Sequence, residues 1–217
     1  MKPTMPGSSH KAFTLIEMLI VVLAIVLLAL LAVPMWTDPG PKPARVVCMN
    51  NLKQIAVGFM LYASDNSNQL PWQVSSPTHA TEIYSKLTPY LKQPKTFICP
   101  ADKTKRLAQA DYSNLSNSNL SYFASLDASF TLTPSPVKIL FAGDRHLASA
   151  NKPVNPGFLS ITNAGVMSWT RELHFGEDAS EIGVLLFMDG HSEAMKSQPL
   201  QTKLQQQGLV ANQLMIP

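Results

Sequence analysis

The chain has 217 residues, room for one medium domain plus an appendage. Charged residues are 14% of it, against the about 25% usual in soluble domains, and the net charge of +3 falls to +1 once residues 1–12 are set aside. No basic stripe remains to recruit nucleic acid, and 17 prolines argue against a long helical bundle.

Residues 1–12 are a short leader carrying Lys2 and Lys11. Residues 13–36 are the most apolar stretch of the chain. Their only charge is Glu17, and none follows from Met18 to Met35. About 20 such residues in a helix rise roughly 30 Å, which matches a bilayer core, so a transmembrane helix is expected over 13–36. A secretory signal has a shorter apolar core ending in a small-residue cleavage site. Here the small-residue junction, Ala12-Phe13, precedes the run. A cut there removes the basic leader and leaves the helix on the mature chain. Lys2 and Lys11 lie before the run and Lys42, Arg45 and Lys53 after it, so basic residues alone set no orientation. The short leader and the C-terminal position of the folded domain place the N-terminus in the cytoplasm.

A carboxylate in such a helix costs on the order of 2.5–3.5 kcal/mol at mid-bilayer. Two readings account for Glu17. Thr14-x-x-Glu17 fits a helix capping box, near the edge of the span where charge costs less. Alternatively, cutting after Ala12 frees an α-amine on Phe13, and a neighbouring subunit's ammonium pairs with Glu17 in lipid, each offsetting the other's desolvation.

The run "FTLIEMLIVVLAIVLLALLAVP" resembles the processing and methylation segment of type IV prepilins and type II secretion pseudopilins. The resemblance is specific over residues 10–36. It implies that a prepilin peptidase cuts before Phe13 and N-methylates it, that Glu17 guides subunit assembly, and that Pro34 is the proline common 22 residues from the cut. The residue before the cut is Ala12 where the family usually has Gly; alanine is small enough for the same protease pocket. The partners implied are prepilin peptidase, other pilin or pseudopilin subunits, and the bacterial inner membrane.

Residues 37–43, in "TDPGPKPAR", form a Pro/Gly-rich break in which a kink or short linker is expected, with helix resuming after Pro43. Leu52, Ile55, Phe59 and Tyr62 then follow at steps of 3, 4 and 3, the apolar face of an amphipathic helix; Asn51, Lys53 and Gln54 form its polar face. A helix of this kind laid on a sheet is a two-layer α+β solution. The segment "RVVCMNNLKQIAVGFMLYASDNSNQLP" resembles the post-stalk region of a large bacterial subfamily of pseudopilin-like proteins, and "FICPAD" its second cysteine segment. Cys48 and Cys99 lack C-x-x-C spacing. In an extracytoplasmic domain they read as a disulfide, worth roughly 4 kcal/mol in the chain-entropy model; the alternative is two buried thiols acting as small hydrophobes.

Further along, "THATEIYSKLTPYL" reads as a short helix with Ile83, Leu87 and Leu91 on one side, "SNLSNSNLS" as a loop, and "VKILFAGD" as a buried strand. In "IGVLLFMDGHSEAM" two strands flank Asp189-Gly190, a dipeptide suited to a tight type I′ turn. The tail "LQTKLQQQGL" reads as one more short helix, stopped near Gly208.

Asp144, Arg145, His146, His174, Asp189 and His191 are the residues with chemistry to offer. No spacing among them is diagnostic, and no nucleophile elbow, phosphate loop or metal-spaced cysteine set is present. Structural roles, with Arg145 paired to a carboxylate and Asp189 in a turn, are the leading expectation; a metal site and catalysis are the alternatives. "HFGEDASEIGVLLFMDGH" resembles the subfamily's C-terminal signature of His, nine residues, then Asp-Gly, although fourteen residues separate His174 from Asp189. "DNSNQLP" offers Asp65, Asn66 and Asn68 as oxygens but lacks the calcium-loop pattern, so a solvated turn is expected.

The expected fold is therefore α+β and pilin-like, with a transmembrane helix and an amphipathic helix on a small, mainly antiparallel sheet. Its parts are a cleaved leader (1–12), an assembly helix (13–36), the break (37–43) and an extracytoplasmic head (44–217). The expected function is a structural subunit of a pilus or pseudopilus filament, without catalysis or cofactor. The rivals are a membrane-anchored binding module and a metal-dependent enzyme built on the His/Asp residues.

Overall fold

The computed structural model describes residues 14–32, 41–105, 107–108, 111–130, 139–150, 152–162, 166–170, 174–175, 181–206 and 211–217. The junction at Ala12-Phe13, Pro34, and residues 37–40 of the expected break lie outside them. The chain divides into two compact units, Met1–Pro39 and Gly40–Pro217.

In the first unit, α1 runs from Leu15 to Ala32. Its start is the capping box read from the sequence: the Glu17 amide donates to Thr14 Oγ1 at 3.3 Å, and the Thr14 amide to Glu17 Oε2 at 3.5 Å. The Glu17 carboxylate thus serves the Thr14 amide, and the Thr14 hydroxyl is a second acceptor for the Glu17 amide, which also donates to the Thr14 carbonyl at 3.1 Å. The large apolar side chains described on α1, from Leu15 to Leu28, are all exposed. Among the described residues no helix is long and apolar enough to cross a membrane. The charge-free part of α1, residues 18–32, rises about 22 Å, short of a core of about 30 Å; residues 13 and 33–36 of the expected span lie at undescribed positions.

In the second unit, α2 spans Pro41–Asp65. This corrects the expected break, because helix resumes at Pro41 rather than after Pro43. Both prolines fall in the first turn, where the missing N–H has no intrahelical acceptor to lose. Leu52, Ile55 and Phe59 are fully buried and Tyr62 nearly so, as their spacing predicts. Cys48 extends the same face. Asn51, expected on the polar face, is buried too. It is held by hydrogen bonds, chiefly from Nδ2 to the Ile98 carbonyl at 2.9 Å, which is what lets an amide stay out of water.

The main sheet has seven strands among the described residues: β1 (Tyr122–Ser125), β2 (Leu140–Asp144), β5 (Gly157–Thr162), β7 (His174–Phe175), β8 (Glu181–Phe187), β9 (Ser192–Lys196) and β10 (Ala211–Ile216). The order is β5-β10-β1-β2-β8-β7, with β9 also paired to β8. A second sheet has β3 (Leu147–Ser149) between β4 (Lys152–Pro153) and β6 (Met167–Trp169). Every pairing described is antiparallel. The head is thus α+β with a mainly antiparallel sheet. Short helices α3 (Pro71–Val74), α4 (Ala80–Ser85) and α5 (Ser197–Gln205) complete it. The second of these falls in the expected "THATEIYSKLTPYL" segment, with Ile83, Leu87 and Leu91 buried. The third begins three residues ahead of the expected tail helix.

Both faces of the central strands are covered, so β8 is apolar almost throughout. Its alternation still sorts the core. Val184 and Leu186 point into the cluster under α2 with Phe59, Tyr122 and Phe141. Leu185 and Phe187 point into a second cluster with Trp169, Leu200 and Leu204. Each large side chain so buried contributes about 1.5–3 kcal/mol.

The β8–β9 hairpin forms where the sequence places it, but not through a type I′ turn. The Gly190 amide donates to the Phe187 carbonyl at 2.9 Å and the Phe187 amide to the His191 carbonyl at 3.0 Å. Gly190 has φ +84° and Asp189 is not in the left-handed region. This is the three-residue pattern of a turn closed by a glycine bulge. Asp189 caps it, its Oδ1 accepting from the His191 amide at 3.0 Å.

Candidate functional site

The six chemistry-bearing residues do not form one cluster. They fall into three groups, each with a different partner.

The first group surrounds the disulfide. Cys48 and Cys99 are bonded, with Cα atoms 5.1 Å apart, inside the ordinary range. Cys48 lies on the buried face of α2. Cys99 follows a 3₁₀ turn at Pro94–Phe97, and the Asn51 bond to Ile98 pins that segment against the helix one turn beyond Cys48. His174, on β7, places Nε2 3.4 Å from Cys99 Sγ and 3.7 Å from Asp144 Oδ2. Asp144 ends β2, and its Oδ2 accepts from the Val184 amide of the neighbouring strand at 2.8 Å. Its Oδ1 has no hydrogen-bond partner among the described residues. Cys48, Cys99, Asp144 and His174 are all fully buried. Burial pushes the Asp144 carboxyl up to about 8, the Val184 amide opposing and the nearby Asp102 charge adding to the rise.

The second group centres on Asp102, which the sequence reading passed over. Arg145 donates to both its oxygens, Nε to Oδ2 at 2.9 Å and Nη2 to Oδ1 at 3.2 Å. Ser121 Oγ donates to Oδ2 at 3.0 Å and Thr104 Oγ1 to Oδ1 at 2.7 Å. His146 Nε2 stands 3.2 Å from Oδ2. Burial raises the Asp102 carboxyl, but the nearby His146 imidazole and the hydrogen bonds from Arg145 and Thr104 outweigh it and hold the group well below the usual carboxylate range. The carboxylate expected to pair with Arg145 is this one. Its only signal in the sequence is its place in "FICPAD", three residues after Cys99.

The third group is the hairpin turn, where His191 Nδ1 lies 2.5 Å from Asp189 Oδ1 and the imidazole stacks on Phe187, with centroids 4.4 Å apart. His174 and Asp189, the pair suggested by the C-terminal signature, therefore belong to different groups. The "DNSNQLP" segment forms a turn with Ser67 and Asn68 at positive φ, and the Asp65 carboxylate accepts from Tyr90 Oη at 2.8 Å.

Chemically, the Asp102 group is an ion-pair clamp between two segments and the Asp189 group a turn. Only the first group brings soft and hard metal-type donors together, and its members are sealed from solvent. Surface clefts are lined by other residues, such as Lys92, Pro94 and Leu107, or Trp169, Thr170 and Glu181. No family model, curated protein or solved structure matches this chain.

Proposed function

We propose that the chain is a pilin-like structural subunit of a type IV pilus-like or type II secretion pseudopilus filament. A prepilin peptidase cuts it between Ala12 and Phe13. The apolar segment 13–36 holds it in the bacterial inner membrane, N-terminus in the cytoplasm and head outside, until assembly packs that segment against neighbouring subunits. Glu17 sets the register by pairing with the α-amine of a neighbour's Phe13.

One observation carries this reading: α1 is an exposed apolar helix whose single charge, Glu17, is fixed in its first turn. An apolar surface of this extent needs lipid or protein to cover it. The capping box leaves Glu17 at the helix end nearest the expected cut. Among the described residues only its Oε2 accepts a hydrogen bond, at the long distance of 3.5 Å, and a carboxylate has further acceptor capacity for an ammonium. The Cys48–Cys99 disulfide supports the extracytoplasmic placement of the head, since such bonds persist in oxidising compartments.

The test is the intact mass and N-terminal sequence of the chain extracted from native membranes. A chain beginning at N-methylated Phe13 is expected. A chain that keeps Met1 or Lys2 would make this a plain signal-anchored protein and leave Glu17 as a helix cap.

A further inference from the structure

The buried group around the disulfide contains more donors than a disulfide needs. Cys48 Sγ, Cys99 Sγ and one nitrogen of His174 lie within 4.8 Å of one another. The Asp144 carboxylate stands 3.7 Å from His174 Nε2. The four side chains come from α2, the loop after the 3₁₀ turn, β7 and β2, so anything they bound in common would cross-link the layers of the head.

We propose that, when both cysteines are thiols, the head binds one Zn²⁺ through Cys48 Sγ, Cys99 Sγ, His174 Nε2 and Asp144 Oδ2, and that the disulfide and the metal are alternative cross-links of the same site. The spacing fits. Tetrahedral zinc with Zn–S of about 2.3 Å and Zn–N of about 2.0–2.1 Å sets sulfur and nitrogen about 3.6 Å apart, and nitrogen and carboxylate oxygen about 3.4 Å apart. The corresponding separations here are 3.4 Å and 3.7 Å. The two sulfurs must also separate to about 3.8 Å, a movement that side-chain rotation allows once the bond between them is gone.

The donor set also selects the ion. Two thiolates and an imidazole favour zinc over calcium or magnesium, which take oxygen ligands. Full burial of all four residues gives a closed site with no position for substrate, the character of a structural centre. The Val184 amide, bonded to Asp144 Oδ2 at 2.8 Å, orients the carboxylate from the outer shell. As a ligand His174 would be neutral, with its proton on Nδ1 and the Nε2 lone pair on the metal.

The chemistry balances with one further reactant, an oxidant that carries a disulfide. The chain is made with two thiols; binding Zn²⁺ displaces their two protons into solvent, together with the proton of the Asp144 carboxyl where burial has kept it on. Later oxidation takes two electrons from the sulfurs. A disulfide-bearing oxidant accepts them, takes two protons from solvent and becomes a dithiol, the Cys48–Cys99 bond forms, and Zn²⁺ leaves because a disulfide sulfur is a poor ligand. The metal would thus hold the helix to the sheet before the covalent bond does.

The test uses the full chain in detergent micelles, reduced with a water-soluble trialkylphosphine, which becomes the phosphine oxide with oxygen from water. Co²⁺ is the probe and near-ultraviolet circular dichroism reports the fold. The reduced chain is expected to take one Co²⁺ with thiolate-to-metal charge transfer and the intense visible bands of a tetrahedral site, and to yield it to Zn²⁺. The oxidised chain should show neither. Loss of an outer-shell partner typically weakens a site about 10–100-fold, so His174→Ala, or the better-filling His174→Gln, should weaken Co²⁺ binding at least tenfold in the reduced chain. The idea is overturned by a reduced, folded chain that binds Co²⁺ no better than the oxidised one. It is equally overturned by unchanged affinity and spectrum in both His174 variants, or by a reduced chain that loses its fold and does not regain it with Zn²⁺.

Discussion

Arg145 grips Asp102 with two parallel bonds, at 2.9 and 3.2 Å, from a position 43 residues further along the chain. The Asp102 side chain is fully buried and that of Arg145 is 18% exposed. The pair joins the loop after Cys99 to the residue following β2. Removing one partner of a buried pair leaves an uncompensated charge, at a cost of about 3–5 kcal/mol. Asp102→Asn is expected to lose about 3 kcal/mol, the low end, because Arg145 reaches solvent. Urea unfolding of the variant beside the wild type measures it. A loss under about 1 kcal/mol would mean that the clamp is replaceable by water.

The same carboxylate gives the head an acid limit. Its folded pKa lies below the unfolded value of about 3.9, so its contribution is whole above that pH and is lost as pH falls toward the folded value. Stability of the wild type should therefore drop more steeply below about pH 4 than that of Asp102→Asn, which has no proton to take up there. Parallel pH profiles for the two proteins would remove Asp102 as the source.

Cys48 and Cys99 are 51 positions apart. Closing a loop of that length restricts the unfolded chain by about 4 kcal/mol. The double variant Cys48→Ser, Cys99→Ser, studied in metal-free buffer, should lose stability of that order. Equal midpoints for the double variant and the oxidised wild type would show that the packing of α2 on the sheet makes the bond redundant.

Gly183 in β8 has the Trp169 ring lying directly over its Cα, so close that an added Cβ would collide with the ring atoms. Trp169 in turn is buried among Leu185, Phe187 and Leu200. Gly183→Ala must displace the indole, and overpacking of this kind costs about 1–3 kcal/mol. Tryptophan fluorescence and urea unfolding report it together. An unshifted emission maximum with unchanged stability would show that the ring has room to move.

Much of this packing was legible in the sequence. The 3-4-3 spacing of Leu52, Ile55, Phe59 and Tyr62 announces a one-sided helix, and the apolar run before Asp189-Gly190 announces a strand. Thr14 and Glu17 announce a helix start because a capping box is local. What stayed hidden depends on distant partners. β10, "ANQLMI", has only weak alternation and becomes a strand because β1 and β5 flank it. The strands β3, β4 and β6 are two or three residues long, too short to show a period. Asn51 reads as surface until its acceptor at Ile98 is known. Asp102 reads as a loop acid until Arg145 is brought to it. The grouping of His174 with Cys99 and Asp144 joins three segments whose spacing carries no motif.

The two readings of Glu17 make opposite demands on two substitutions. A capping box accepts glutamine in place of glutamate, so Glu17→Gln keeps the reach to the Thr14 amide and removes only the charge. Thr14→Val removes the hydroxyl that accepts from the Glu17 amide at 3.3 Å and keeps the charge. Loss of such a cap costs helix stability on the order of 1 kcal/mol, a small amount for a helix that neighbours or lipid would cover. If Glu17 pairs with a neighbour's α-amine, Glu17→Gln should abolish inter-subunit crosslinking through cysteines introduced in α1, such as Ile20→Cys with Val26→Cys, while Thr14→Val leaves it largely intact. The reverse pattern, with Glu17→Gln crosslinking normally and Thr14→Val failing, would assign the carboxylate to the helix start alone. Ammonium and carboxylate attract most strongly where water is excluded, so the effect of the lost charge should exceed that of the lost cap.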